Sequence, residues 1–261
     1  MNLLSFNWHT PILLLLAQLD HTFDVAPANQ IDLMDPKPWH EAMRPIPANV
    51  IPVNKEQALD RLEGNHYDLL LAHNVGDLVI TEQFSLPKML VFHNKLSTEG
   101  KESRQLEKIG NYRKAVQTLV SGVYCVFISE TKRHDRGLPG EIITPGIDTS
   151  IYGGYTGQHA RAIRVGNKIK LRGVMSGYSI QEAILRELPN IVIGDNPDIP
   201  DAQPSRNWED LKKAYRENRL FLNTTIPRWE DGYNLAMLEA MATGMPVVSL
   251  SNPVTPLTDG R

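Results

Sequence analysis

The sequence predicts an α/β protein in which two doubly wound parallel sheets follow one another along the chain, and three observations lead there. Short apolar runs of strand length alternate with segments of helical periodicity, the rhythm of parallel strands joined by crossover helices. A glycine-rich stretch with a tyrosine, Pro145-Gly146-Ile147-Asp148-Thr149-Ser150-Ile151-Tyr152-Gly153-Gly154, interrupts that rhythm near the middle. At 261 residues the chain exceeds one typical domain, and 41% hydrophobic with 22% charged residues is the composition expected of a folded, soluble protein able to bury sizeable cores. Two Rossmann-like doubly wound domains are therefore expected, residues 1–148 and residues 149–261, the second shortened at its C-terminal end.

The first half opens with a strand at Asn2 to Phe6 and a buried helix at Pro11 to Leu19, whose Ile12 to Ala17 core is too short to span a bilayer and lacks the preceding basic residue of a secretory signal. A cytoplasmic protein is the simplest assignment, with contact to the inner face of a membrane left open. A proline-rich loop follows from Pro27 to Pro52, then a helix at Lys55 to Glu63 and strands at Tyr67 to Ala72 and Lys88 to Phe92. One long charged helix is expected from Glu102 to Val120, then a strand around Cys125 and another at Ile142-Ile143. Past the connection come a strand at Ile163 to Val165, a helix at Ile180 to Glu187 and a strand at Asn190 to Gly194. A helix at Trp208 to Glu217, the strand Leu220 to Leu222, a helix at Leu235 to Thr243 and the strand Pro246 to Leu250 complete the second half.

Composition removes several function classes. A net charge of −3 and a pI near 6.2 give no general electrostatic reason to bind nucleic acid. The single cysteine, Cys125, lies in an apolar run and reads as core filling. With no Asp-x-Asp, closely spaced histidine pair or cysteine cluster, the sequence signs of a metal site are missing, so neither metal nor cofactor is expected. Phosphate-binding and dinucleotide glycine fingerprints are likewise missing, which removes support for NTP hydrolysis and redox chemistry.

Chemistry is concentrated in Trp229 to Ser249. Asp231-Gly232 and Asn234 supply turn chemistry, Leu235 to Thr243 is rich in helix formers, Gly244 ends the helix, and Pro246-Val247-Val248 begins a strand. A helix opening from a glycine-containing loop presents free backbone N–H groups and a positive dipole end, which favour phosphate. Asp231 lies just before this helix and Glu239 eight residues later, about 12 Å along if all were helical. Carboxylates so spaced suit two ends of one long ligand; taken alone they are equally a dipole partner and a solvated surface charge.

The run Asp231-Gly232-Tyr233-Asn234-Leu235-Ala236-Met237-Leu238-Glu239-Ala240-Met241-Ala242-Thr243-Gly244-Met245-Pro246-Val247-Val248 resembles the donor-site signature of GT-B glycosyltransferases of the large retaining family 4. The family's two glutamates fall on Asp231, a shortened acid, and on Glu239. Val165-Gly166-Asn167-Lys168-Ile169-Lys170-Leu171-Arg172-Gly173 is similar to the family's basic loop, with Asn167 where the family has arginine and Arg172 where it has lysine. The resemblance implies that Glu239 holds the ribose hydroxyls of a nucleoside-diphosphate sugar. It implies too that Asp231 and the backbone of Gly232, Tyr233, Asn234 and Leu235 hold sugar and phosphates. Arg172, with Asn167 and Lys170 close by, would stabilise the departing diphosphate, whose charge grows as the glycosidic bond breaks.

His93 follows a strand that reads as buried, on the edge where open α/β sheets bind ligands, and is the first-half candidate for contact with the transferred sugar. His73, Asn74 and His9 end other strands of that half and are candidates for the acceptor side. Each is equally a strand-capping residue by sequence alone. Ser129 reads as a helix N-cap and Gly146 as a turn. The implied activity is metal-independent glycosyl transfer with retention to a saccharide or lipid-linked acceptor, in the cleft between an acceptor-side first domain and a donor-binding second. The alternative is a catalytically silent nucleotide-sugar-binding partner subunit of the same fold.

Overall fold

The computed structural model describes residues 1–28, 39–229 and 234–252. The chain forms two compact units, Met1–His93 with Lys108–Pro145, and Asn94–Glu107 with Gly146–Arg261.

Among the described residues of the first unit seven parallel strands, β1 (Asn2–Asn7), β2 (Thr22–Pro27), β3 (Val50–Pro52), β4 (Leu69–Ala72), β5 (Lys88–Phe92), β6 (Tyr124–Phe127) and β7 (Glu141–Ile142), lie in the order β3-β2-β1-β4-β5-β6-β7. The register Leu3↔Leu69, Leu4↔Leu70, Ser5↔Leu71 aligns strands that are apolar on both faces, as parallel strands covered on both sides must be. Leu4, Phe6, Leu70, Ala72, Leu90, Phe92 and Phe127 build one core; Leu3, Phe23, Val25, Val50 and Leu71 build the other, on the opposite face by alternation. Phe92 and Phe127 stack at 5.0 Å. Ser5, buried between Leu4 and Phe6 in β1, satisfies its hydroxyl by donating to the Leu71 carbonyl at 2.9 Å.

The crossovers are α1 (Thr10–Leu16), α2 (Lys55–Glu63) and α3 (Val75–Ile80); the chain then forms α4 (Leu96–Glu102), which belongs to the second unit, and returns with α5 (Ile109–Leu119) and α6 (Glu130–Arg136). Asparagine opens α2 and α3 and serine opens α6, each just past the end of a strand. Asn54 and Asn74 form capping boxes with Gln57 and Asp77, and Ser129 caps α6, as its position predicts.

Two departures from the sequence reading have physical causes. The helix expected from Glu102 to Val120 is broken: α4 ends at Glu102, Arg104 adopts φ 58°, and a 3₁₀ turn at Leu106–Lys108 precedes α5. A left-handed residue cannot continue a right-handed helix. The stretch between Leu19 and Pro52 holds β2 and β3, which the alternation did not reveal because Asp24 interrupts the apolar run. Asp24 is 2% exposed and is stabilised there by the Tyr67 hydroxyl, which donates at 2.7 Å, and by the Arg61 guanidinium.

In the second unit β8 (His159–Val165), β9 (Asn190–Ile193), β10 (Asn218–Asn223) and β11 (Val247–Ser249) form a parallel sheet in the order β11-β10-β8-β9. Its helices are α7 (Gly173–Ser176), α8 (Tyr178–Leu185), α9 (Trp208–Glu217) and α10 (Leu235–Thr243). Helix α4 is tied to this unit: Lys95 donates from Nζ to the Pro227 carbonyl at 2.9 Å and Thr98 donates its hydroxyl to the Trp229 carbonyl. Among the described residues no helix is long and apolar enough to cross a membrane.

Candidate functional site

In each sheet the strand order reverses once, between β1 and β4 in the first unit and between β8 and β10 in the second. The carboxyl ends of the strands flanking such a reversal leave a crevice, because the helices that follow them leave on opposite faces.

At the second unit's edge, β10 leads through Thr224 and Thr225 towards α10. Asn234 caps α10, its Oδ1 accepting from the Met237 N–H at 2.8 Å, and its amide donates to the Asn223 side chain at 3.3 Å. Asn234 thus ties the helix start to the end of β10 while the positive end of the dipole is retained. Leu235 begins the helix, and Gly244, with φ 88°, ends it as the sequence predicts. Asp231, Gly232 and Tyr233 lie outside the described residues.

Glu239 is in the second turn of α10 and is 5% exposed. Its Oε2 accepts from the hydroxyl of Tyr215, a fully buried residue of α9, at 3.0 Å; its Oε1 accepts from the Tyr152 hydroxyl at 2.9 Å. Two aromatic hydroxyls therefore hold both carboxylate oxygens, which is what keeps a charge at this depth tolerable.

The basic loop after β8 is laced to the loop after β9. Asn167 accepts at Oδ1 from the Asp195 N–H at 2.9 Å, and Asn196 receives the Ile169 N–H while donating to the Gly166 carbonyl, both at 2.7 Å. Asn167 thus spends its side-chain oxygen on holding the loop. Lys170 is exposed and reaches the Asp198 carbonyl at 3.4 Å; Arg172, also exposed, sits at the N-cap of α7 with its guanidinium 3.3 Å from the Met175 sulfur. Behind this loop Gly177, at φ 67°, lets the α7–α8 junction approach the end of β10 so closely that a Cβ would lie 2.1 Å from the Thr224 carbonyl oxygen.

At the first unit's edge His73 and His93 are brought together: His73 Nδ1 and His93 Nε2 are 2.9 Å apart. Each ring has a partner nitrogen, so the contact needs one N–H and one bare nitrogen, the pattern of two neutral imidazoles. Burial holds His73 down at about 4, with the charge of His9 adding to the effect, and holds His93 well below the usual histidine value, helped by His73, His9, Lys132 and Arg136. His9 is exposed and acts on the pair through its charge. Beneath them Asp77, fully buried, accepts from the Trp8 indole N–H at 2.9 Å and from the backbone N–H groups of His73 and Asn74 at 2.9 and 3.0 Å. Burial nevertheless pushes Asp77 up to about 6. Asn74 caps α3, accepting from the Gly76 N–H at 2.9 Å.

Sequence reasoning missed Asp77, Tyr152 and Tyr215. Asn74-x-x-Asp77 is a capping-box spacing and could have placed Asp77 in a first helical turn. The tyrosines meet Glu239 across 87 and 24 residues of chain, and no local signal announces that. Among the described residues no three His, Cys, Asp or Glu side chains are grouped to hold a metal ion.

Each unit has a Rossmann-like α/β fold, the fold class of GT-B proteins, and solved structures share the fold. The chain is similar to an alpha-glucosyltransferase in complex with UDP and a 13-mer DNA containing a central A:G mismatch, with TM-score 0.59 and 13% identity over 95% of this chain and 79% of that one. It is also similar to TarM, with TM-score 0.54 and 13% identity over 74% of this chain, and spans 43% of TarM's length. No family model and no curated protein sequence matches the chain.

Proposed function

We propose that the chain is a glycosyltransferase that takes a sugar from a nucleoside-diphosphate donor bound on the second unit to a saccharide or lipid-linked acceptor bound on the first. The observation that carries this reading is α10: a capped helix start beside the end of β10, at the reversal of strand order, with a buried carboxylate one turn further in. Helix N–H groups and dipole suit a diphosphate, and a carboxylate at that remove suits the hydroxyls of the adjoining ribose. The fold shared with an alpha-glucosyltransferase solved with UDP supports the same donor class.

In this reading Glu239 holds the ribose, Asp231 with the backbone from Gly232 to Leu235 holds sugar and phosphates, and Arg172 swings from its exposed position to the leaving diphosphate. Asn167 and Lys170 shape the loop that carries Arg172. The transferred sugar meets His93, kept neutral as a hydrogen-bonding group, while His73, Asn74 and His9 border the acceptor. Transfer proceeds with retention and without a metal, the leaving phosphate accepting the acceptor's proton. The test is turnover of UDP-, GDP- and ADP-sugars by the wild type, Glu239→Ala and Arg172→Ala. Each variant should lose about 2–4 kcal/mol of transition-state or donor stabilisation; turnover unchanged in both rejects these roles.

The engagement of Asn167 with Asp195, where the resembling family has a free cation, favours a second reading: a catalytically silent module that binds the donor. Calorimetry separates the two, since a donor that binds and is never consumed identifies the module.

A further inference from the structure

The hydrogen bonds of Glu239 raise a question of access. A carboxylate 5% exposed cannot meet a ligand until something covering it moves. Of the two hydroxyls that hold it, Tyr215 is fully buried within α9 and has nowhere to go. Tyr152 is only half-buried and lies outside any helix or strand, after a 3₁₀ turn at Thr149–Ile151. The two residues that follow it, Gly153 and Gly154, have φ of 127° and 73°, and a Cβ on Gly153 would meet nothing within 4 Å. The backbone beside Tyr152 thus has the conformational freedom of two glycines at positive φ and open space at Gly153, while Gly154 lies close to the Arg216 side chain, where a Cβ would be 3.2 Å from Cδ.

The chemistry of the contact matches that of a sugar. Tyr152 presents an O–H to Oε1 at 2.9 Å, as a ribose hydroxyl would. A carboxylate offers about four lone-pair sites on two oxygens. With Oε2 oriented by Tyr215, a vicinal diol can engage both oxygens once Tyr152 withdraws.

We propose that Tyr152 is an exchangeable latch over Glu239, displaced by the vicinal diol of a nucleoside diphosphate, and that Tyr215 is a positioning residue that holds the carboxylate ready for it. This rests on the reading of Glu239 as the ribose-binding group. The latch makes the site selective: a ligand opens it only by replacing the tyrosine's hydrogen bond with its own, so diphosphate alone gains nothing from Glu239.

The experiment is calorimetric titration of the full chain with UDP, GDP and ADP, followed by comparison of the nucleotide that binds with its dideoxyribose analogue. Tyr152→Phe keeps the ring and removes only the competing hydroxyl. It should tighten the ribonucleotide about tenfold, the worth of one charge-assisted hydrogen bond, and leave the dideoxy analogue unchanged. Tyr215→Phe should weaken the ribonucleotide by a similar factor without changing the dideoxy analogue, a selectivity that a general packing defect does not produce. Tyr152→Ala, which also removes the ring, should likewise bind the ribonucleotide more tightly than the wild type. Binding that depends on Glu239, shown by its loss in Glu239→Gln, but is unchanged or weaker in Tyr152→Phe overturns the latch and leaves the donor site standing. Binding indifferent to Glu239→Gln, or no binding of any of the three nucleotides, overturns the donor reading and the latch together.

Discussion

Replacing Asp77 by asparagine should change how the protein's stability responds to acid, and the sign follows from the groups around it. His73 is held at about 4 against an ordinary 6.5, so between those values the unfolded chain binds a proton that the folded one refuses; stability falls as pH drops through that window. Asp77 is raised to about 6 from 3.8, so over that range the folded chain holds a proton that the unfolded one has lost; stability rises as pH drops. Each displacement corresponds to about 3 kcal/mol over its full window, at about 1.4 kcal/mol per pH unit, and between pH 4 and 6 the two slopes oppose. His93, also lowered, is left as the uncompensated group. Urea unfolding followed by circular dichroism at intervals from about pH 4 to 7 should therefore show a moderate acid loss in the wild type. Asp77→Asn keeps the shape and removes the opposing titration, so its loss should be steeper by about 1.4 kcal/mol per pH unit in the same window. Parallel profiles for the two proteins would refute the argument that Asp77 takes up a proton in the folded state.

Three further substitutions probe the scaffold. Asn234→Ala removes the cap of α10 and should cost about 1 kcal/mol in thermal or urea unfolding, with weaker nucleotide binding if the helix start is the phosphate site. Gly177→Ala places a methyl group against the Thr224 carbonyl at a positive φ and should destabilise the protein by about 2 kcal/mol or more; a neutral result in urea would show that the α7–α8 junction relaxes freely. Phe127→Ala empties a fully buried ring stacked on Phe92 and should cost about 3–5 kcal/mol by the same assay.

The fold was legible wherever strands were apolar on both faces. Leu69–Ala72, Tyr124–Phe127 and Asn190–Ile193 announce themselves as short apolar runs, and Lys55–Glu63 and Trp208–Glu217 as helices of amphipathic period. What escaped was decided at a distance. Asp24 can sit inside β2 only because Tyr67 and Arg61 reach it from elsewhere, and a buried acid reads locally as a loop. The site shows the same division. Glu239 stands out through its spacing from Asp231, and His73 and His93 through their positions after strands, but their contact arises from the adjacency of β4 and β5. Asn167 is the instructive case: its place in the basic loop suggests a ligand contact, while its side chain braces a neighbouring loop.

The detour of the chain at Asn94–Glu107 bears on how the protein is made. The partners of Lys95 and Thr98 are the carbonyls of Pro227 and Trp229, 132 and 131 residues later. At about 5–20 residues per second, a ribosome takes on the order of ten seconds to deliver them. During that interval the strands flanking the detour are already synthesised, while Leu96, Thr98 and Gly100, all buried in the finished protein, wait first for α7, against which α4 packs, and then for Pro227 and Trp229. The detour is thus a stretch of nascent chain that stays uncovered while its partners are made, and expressing residues 1–148 alone would remove those partners for good.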